Sequence, residues 1–275
     1  VNITEIFSRK NRILLKAMVG TDFKLRYQQS FLGYIWSVLK PLLLFTIMYL
    51  VFVRFLRFGA DVPHFSVGLL LGIILWNFFN ETTTGGMMSV VGHGDLLRKI
   101  HFSKHIVVIS SSMGALINFG INFVVVIVFA LLNGVSPRWS NILILPIVVE
   151  LYFLSLGIAF FLSAIYVKLR DLNPIWEVLM QAGFYATPII YPISMIASRA
   201  GESGPLLAKL DLMLNPMAQI IQDARHVLIA PENPTLWGWT SHFLVACWPV
   251  VVSFALFIAG LAFFTKRAQY FAELV

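Results

Sequence analysis

The chain has 275 residues, 59% of them apolar and only 12% charged, against roughly 25% charged in soluble domains. That composition excludes a soluble globular protein and defines a polytopic membrane protein. The formal charge of +7 would suggest nucleic acid in a soluble chain; here membrane topology explains it, and no nucleic-acid partner is expected.

Residues 1–30 read as an amphipathic interface region rather than a cleavable signal, because about thirty mostly amphipathic residues precede the first long apolar run. Asn2 and Glu5 have capping-box spacing. Ile3, Ile6, Phe7, Leu14 and Met18 share a stripe, with Arg9, Lys10, Arg12 and Lys16 elsewhere on the turn. The pattern suits a helix lying on the membrane or one docked on the protein's own core.

The stretch DFKLRYQQSFLGYIWSVLKPLLL, from Asp22 to Leu44, turns from basic to apolar, with Tyr34 and Trp36 at headgroup level. A first span follows over about 32–53. Lys40-Pro41 lies within it, where the lysine can snorkel and the proline can bend the helix. The second span, about 65–90, changes character midway: NFFNETTTGGMMS carries Asn77, Asn80, Glu81, Thr82, Thr83 and Thr84. A carboxylate at membrane depth costs about 2.5–3.5 kcal/mol on insertion scales. Glu81 is therefore expected to face protein or water, in a polar conduit lining or a helix–helix contact.

Between the second and third spans, residues 92–104 form a stub of amphipathic helix. Leu96, Leu97 and Ile100 make an apolar ridge while Asp95, Arg98 and Lys99 stay wet, a shape suited to docking in a partner's groove. His101 and His105 are four apart but lack a third ligand, so no metal is expected. The third span, about 106–132, has Asn118 and Asn122 on one face. The fourth, about 141–167, carries Glu150 and ends at VKLRDLNP. The fifth starts near Ile175 and is interrupted at Thr187-Pro188 and Tyr191-Pro192. Residues 193–236 then read as a broken or re-entrant helical segment on the outer side, with amphipathic pieces Pro205–Leu214 and Pro216–Ile229. The sixth span covers about 242–264; the one cysteine, Cys247, lies in it as a packed thiol, with no disulfide or cysteine metal site.

The expected architecture is an all-α polytopic membrane protein with six transmembrane helices over 32–264. With both termini cytoplasmic, fourteen Lys and Arg fall inside and six outside (Arg54, Arg57, Arg138, Arg199, Lys209, Arg225), as the positive-inside rule asks.

The order of these parts resembles the membrane subunit of ABC-2 type exporters, which move polyprenyl-diphosphate-linked polysaccharides such as O-antigens, galactans and teichoic acids. The closest points are LRYQQSFLGYIWSVLKPLL, GDLLRKIHFSKHI, YVKLRDL and LNPMAQIIQDARHVL. The resemblance covers essentially the whole chain, 1–275, as a single transmembrane domain. It implies a homodimer in a bacterial inner membrane, with each copy binding a cytoplasmic ATPase subunit that holds the ATP and magnesium; no cofactor is expected in this chain. It implies that the 92–104 segment, with Asp95 to Ile100, is the coupling helix, that the N-terminal helix also meets the ATPase, and that 193–229, with Asn215, Pro216 and Arg225, forms an outer gate. The chain contains no GxxxxGK[ST] phosphate loop, in keeping with that division of labour.

A glycan conduit needs stacking aromatics and hydrogen-bonding groups. Tyr34, Trp36, Tyr49, Trp76, Phe78, Phe79, Tyr185 and Tyr191 are candidate faces or interface anchors, with Asn80 and Glu81 as polar lining. The mechanism expected is that ATP-driven closure of the partners pushes on Leu96, Leu97 and Ile100, the first and fifth spans of two copies separate, and the lipid-linked glycan passes between them. Two other classes stay open: an ion-coupled secondary transporter using Glu81 and Glu150, though inverted repeats are not seen, and a membrane transferase acting on a lipid-linked substrate.

Overall fold

Helix α3 (Phe65–Gly92) is the axis of the fold, largely apolar all round over its first half and carrying polar residues from Asn77 to Thr84. The computed structural model describes residues 9–27, 33, 35–100, 102–199, 201–240 and 242–271, of which 23 and 25–27 by their backbone alone. The Asn2–Glu5 pair, Ile3, Ile6, Phe7, Tyr34 and His101 lie outside the described residues.

In chain order, α1 (Arg9–Tyr27) is followed by α2 (Ile35–Met48), whose backbone widens into a π-helical stretch, Tyr49–Phe55. Then come α3, the short α4 (Gly94–Lys99), α5 (His105–Leu132), a 3-10 turn (Trp139–Leu143) and α6 (Ile144–Tyr166). After α7 (Leu172–Ala186) the chain breaks into α8 (Ile193–Arg199), α9 (Gly204–Leu214), α10 (Pro216–Leu228) and α11 (Leu236–Trp239) before the long α12 (Phe243–Ala268). No strand occurs among the described residues.

Among the described residues, five helical stretches are long and apolar enough to cross a membrane: Ile35–Phe55, Phe65–Gly92, His105–Leu132, Trp139–Tyr166 and Phe243–Ala268. The expected fifth span is the exception. Helix α7 has 15 residues, about 22 Å at 1.5 Å per residue, short of a hydrocarbon core about 30 Å thick. Its end at Thr187-Pro188 has a physical cause: proline disfavours the α region for the residue before it, and Thr187 is extended.

Packing radiates from α3, which lies against α5 and α6, while α12 runs along α6. Gly157 and Gly260 bring α6 and α12 to backbone contact; a methyl on Gly260 would fall on the Gly157 carbonyl, and one on Gly157 on the backbone of Phe257. Small residues allow such an approach where apolar burial alone gives little preference for protein over lipid. Helix α1 docks on α5, burying Met18 beside Ile106 and Val107 with Leu14 packed against them, so these two residues of the stripe serve the protein's own core. It also runs on to Tyr27, well past Met18.

Proline 41 sits inside α2 without ending it. Having no N–H, it frees the Ser37 carbonyl, and Asn122 of α5 donates its side-chain amide to that oxygen at 3.3 Å. The proline thus becomes a point of attachment between α2 and α5.

Candidate functional site

Positions 77, 80, 81, 84, 85 and 88 of α3 fall three or four residues apart, which on a helix is one face. Asn77, Asn80, Glu81, Thr84, Gly85 and Met88 line a groove of about 680 Å³, closed on the α2 side by Trp36, Ser37, Lys40 and Leu44 and on the α5 side by Asn118. The same face lines a second cavity of about 620 Å³, opposite Asn173, Glu177, Met180, Gln181, Phe184 and Tyr185 of α7. Toward the α4 end, Gly85 and Met88 continue into a smaller recess of about 220 Å³ with Ser89, Gly92, His93, Ser110 and Asp22. These three spaces share lining residues and form one polar track along α3.

Glu81 faces this track, half-buried, and accepts a hydrogen bond from Asn118 Nδ2 at 2.7 Å. Asn122 in turn donates to the Asn118 carbonyl at 2.9 Å. Thr84 donates to Asn80 Oδ1 at 3.1 Å. The track therefore presents amide, hydroxyl and carboxylate groups held in place by neighbours, beside Trp36 and Tyr185, both exposed. Such a surface suits a hydroxyl-rich ligand with apolar faces.

The expected conduit residues divide accordingly. Trp36, Asn80, Glu81 and Tyr185 line the track. Trp76 borders it but is largely buried, packed on Phe79 and Phe184, so it is chiefly an anchor. Tyr49 and Tyr191 line neither large cavity. Tyr49 packs on Phe45. Tyr191 donates its hydroxyl to the carbonyls of Tyr185 and Ala186, which the end of α7 leaves without helical partners. Sequence reasoning missed the facing stripe on α7: Asn173, Glu177 and Gln181 recur every four residues, the signal that could have found it.

Helix α4 departs from its expected shape. Asp95, Arg98 and Lys99 are exposed, but Leu97 is 7% exposed and packs inward with Met18, Val90 and Ile106, with Leu96 beside it. Ile100, 41% exposed, is extended rather than helical. The helix stops at Lys99, so Ile100 leaves the stripe that a continued helix would have shared with Leu96 and Leu97. The outward surface is Asp95, Arg98, Lys99 and Ile100, and Leu97 is the root that fixes it.

The polar recess at this end was not anticipated. Asp22 of α1 lies 3.5 Å from His93 Nε2 and accepts from Ser110 at 3.4 Å, joining α1, α5 and the turn just before α4. His105 has its ring nitrogens against Ser103 and Thr265.

In the α8–α11 segment, Asn215 caps α10 by accepting from the Ala218 N–H and donates to Thr187 Oγ1. Pro216 occupies the first turn, where a missing N–H costs nothing. Arg225, counted from sequence among the outer cations, is 2% exposed. It donates to the carbonyls of Gly68, Pro188 and Ile189 and to Gln222 Oε1. Gly68 and Gly72 leave the space it fills. The guanidinium thus clamps α10 to α3 and to the α7–α8 break.

An all-helical multi-pass protein with a hydrogen-bonding track along its central helix, and with a short helix presented at one end of that track, is built as a membrane permease. The chain belongs to the ABC-2 type transporter family, whose pattern matches residues 13–200. It is the membrane component of such a transporter, not the ATP-hydrolysing one, and membership implies an ATPase partner. The O-antigen export system permease protein RfbA of Myxococcus xanthus is 30% identical over 95% of each chain. Two proteins of the same name from Klebsiella pneumoniae are each 27% identical over 95% of each chain.

Proposed function

We propose that this chain is the transmembrane subunit of an ATP-driven exporter that carries a polyprenyl-diphosphate-linked polysaccharide across a bacterial cytoplasmic membrane. The observation that carries the reading is the polar track on α3, faced by the polar stripe of α7 and flanked by Trp36 and Tyr185. The relatives' name, O-antigen export system permease, supports the substrate class.

In this reading two copies meet through α2 and α7. Both helices border the track, and both expose apolar residues, among them Leu43 and Ile47 of α2, Leu50 of its π-helical continuation, and Ile175, Val178 and Leu179 of α7. Both termini are cytoplasmic, following the cation bias, and α7 with its broken continuation serves as the fifth of six spans. One ATPase subunit binds each copy at the outward surface of α4, through Ile100, Arg98 and Lys99, with Leu97 passing the displacement to α3 and α5. A partner moves a two-state element only through contacts that differ between the states, so the α4 surface must be gripped differently by open and closed ATPase subunits. The α8–α11 segment is the outer gate.

The test is translocation of a defined lipid-linked glycan into vesicles holding the chain and its ATPase. Asn80→Leu with Thr84→Leu, which keeps the helix and removes the hydrogen-bonding lining, is expected to slow export while leaving assembly with the ATPase intact. Undiminished export by that variant would overturn the assignment of the track.

A further inference from the structure

Behind the α8–α11 segment lies a polar cluster that the polar track does not use. Asp223 of α10 is 7% exposed and Gln219, one turn earlier, 2%. Gln219 Nε2 donates to Asp223 Oδ2 at 2.7 Å, and Trp237 of α11 donates to the same oxygen at 3.3 Å. Across the interface, Glu150 of α6 accepts from Ser253 of α12 at 3.1 Å, with Gln219 and Asp223 close enough to act on it. Two buried oxygens are left over: Asp223 Oδ1 and Gln219 Oε1 have no donor.

The surplus on this pair is of acceptors, and among the described residues no cation is ion-paired to it, although Arg138 Nη2 on the neighbouring turn is itself a buried donor without a partner. Among the described residues neither Glu150 nor Asp223 has an ion-pair partner. Arg225, on the same helix, is spent on backbone carbonyls and Gln222. His226, also on α10, bonds the Asn233 carbonyl through Nδ1 and acts on Asp223 only through space. Arg138 precedes the 3-10 turn packed on α10, and Asp211 of α9 lies toward Tyr191. From α12 and α11 come only Ser253 and Trp237. A metal ion would need several more oxygen ligands, and neither Asp223 nor Gln219 lines any of the cavities described above.

We propose that Asp223 is a proton-binding site: a proton on Oδ1 is donated to Gln219 Oε1, closing a two-bond carboxylic acid–amide pair with the Nε2–Oδ2 bond already present. One proton satisfies both orphaned atoms. Burial pushes the Asp223 carboxyl above the usual carboxylate range, with the bonds from Gln219 and Trp237 and the neighbouring His226 pulling it partly back. Loss of the proton leaves a buried carboxylate on Asp223 facing the unpaired Gln219 Oε1 and loosens α10 from α6 and α12. Any consequence for export rests on the reading of this segment as the outer gate; the proton site itself does not.

Two measurements on the purified, detergent-solubilised protein test the site without transport. In infrared difference spectra at neutral pH, the carbonyl stretch of a protonated carboxyl should vanish in Asp223→Asn and persist in Glu150→Gln. In thermal unfolding, the sign decides. Because the folded state holds this proton more tightly than the unfolded one, wild-type stability falls as pH rises through the folded-state pKa. Asp223→Asn reproduces the protonated pairing, so it should match the wild type at acid pH and exceed it at alkaline pH. Loss of stability in Asp223→Asn at every pH, or a carboxyl signal that follows Glu150 instead, would overturn the proposal. Export that responds to outer pH in wild type and not in Asp223→Asn then tests the gate separately: an unchanged response, with the spectra as expected, sinks the gate reading alone.

Discussion

Asn118 holds Glu81 across the seam between α3 and α5, its side-chain amide 2.7 Å from the carboxylate. The bond fixes the acidic group that α3 contributes to the track and ties the central helix to its neighbour. Glu81→Gln keeps an acceptor for Asn118, whereas Glu81→Ala leaves a partly buried donor unpaired, at about 1–3 kcal/mol. Thermal unfolding in detergent should place Glu81→Gln near wild type and Glu81→Ala clearly below it. Equal losses would mean that the carboxylate's charge, rather than this bond, is what matters.

Leu97 and Ile100 should separate folding from coupling. Leu97→Asp puts a charge among Met18, Val90 and Ile106 and is expected to reduce the yield of folded protein. Ile100→Asp alters an exposed side chain, so folding and insertion should be retained while ATPase-driven export falls at least tenfold. Size-exclusion profiles and vesicle export, measured on the same preparations, check both halves.

Arg225 is the clamp on the α7–α8 break. Arg225→Leu strips donors from the Gly68, Pro188 and Ile189 carbonyls, each unsatisfied group costing about 1–3 kcal/mol. Arg225→Lys keeps the charge but not the fork of donors. Both variants should unfold at lower temperature, and limited proteolysis should show earlier cleavage near residues 187–192. A lysine variant as resistant as wild type would show that charge, not geometry, holds the segment.

The α6–α12 crossing offers a packing test. Gly260→Val forces a side chain onto the Gly157 carbonyl; overpacking of this kind costs about 1–3 kcal/mol, and backbone contact allows little relief. Gly114→Val meets open space in the monomer and should leave thermal stability nearly unchanged, making it the control.

Hydropathy made the long spans legible because crossing a bilayer demands length and apolarity, both local properties. Phe65–Gly92 and His105–Leu132 lie within two residues of their expected limits. The polar half of α3 could be read too, since Asn77, Asn80, Glu81 and Thr84 repeat at helical spacing. Orientation within a short helix was not legible. Leu97 looks like a docking residue until the end of α4 at Lys99 is known. Nor could sequence show that Arg225 turns inward, because its acceptors are carbonyls of residues 36, 37 and 157 positions away. Asp22 meets His93 for the same reason: a tertiary contact leaves no spacing to find.

The most direct measurement is reconstitution of the purified chain in vesicles loaded with lipid-linked glycan, with and without its ATPase subunit. The account predicts no translocation by the chain alone under a proton or sodium gradient, ATP-dependent translocation once the ATPase is added, and its loss in Ile100→Asp. Translocation by the isolated chain under an ion gradient would contradict it.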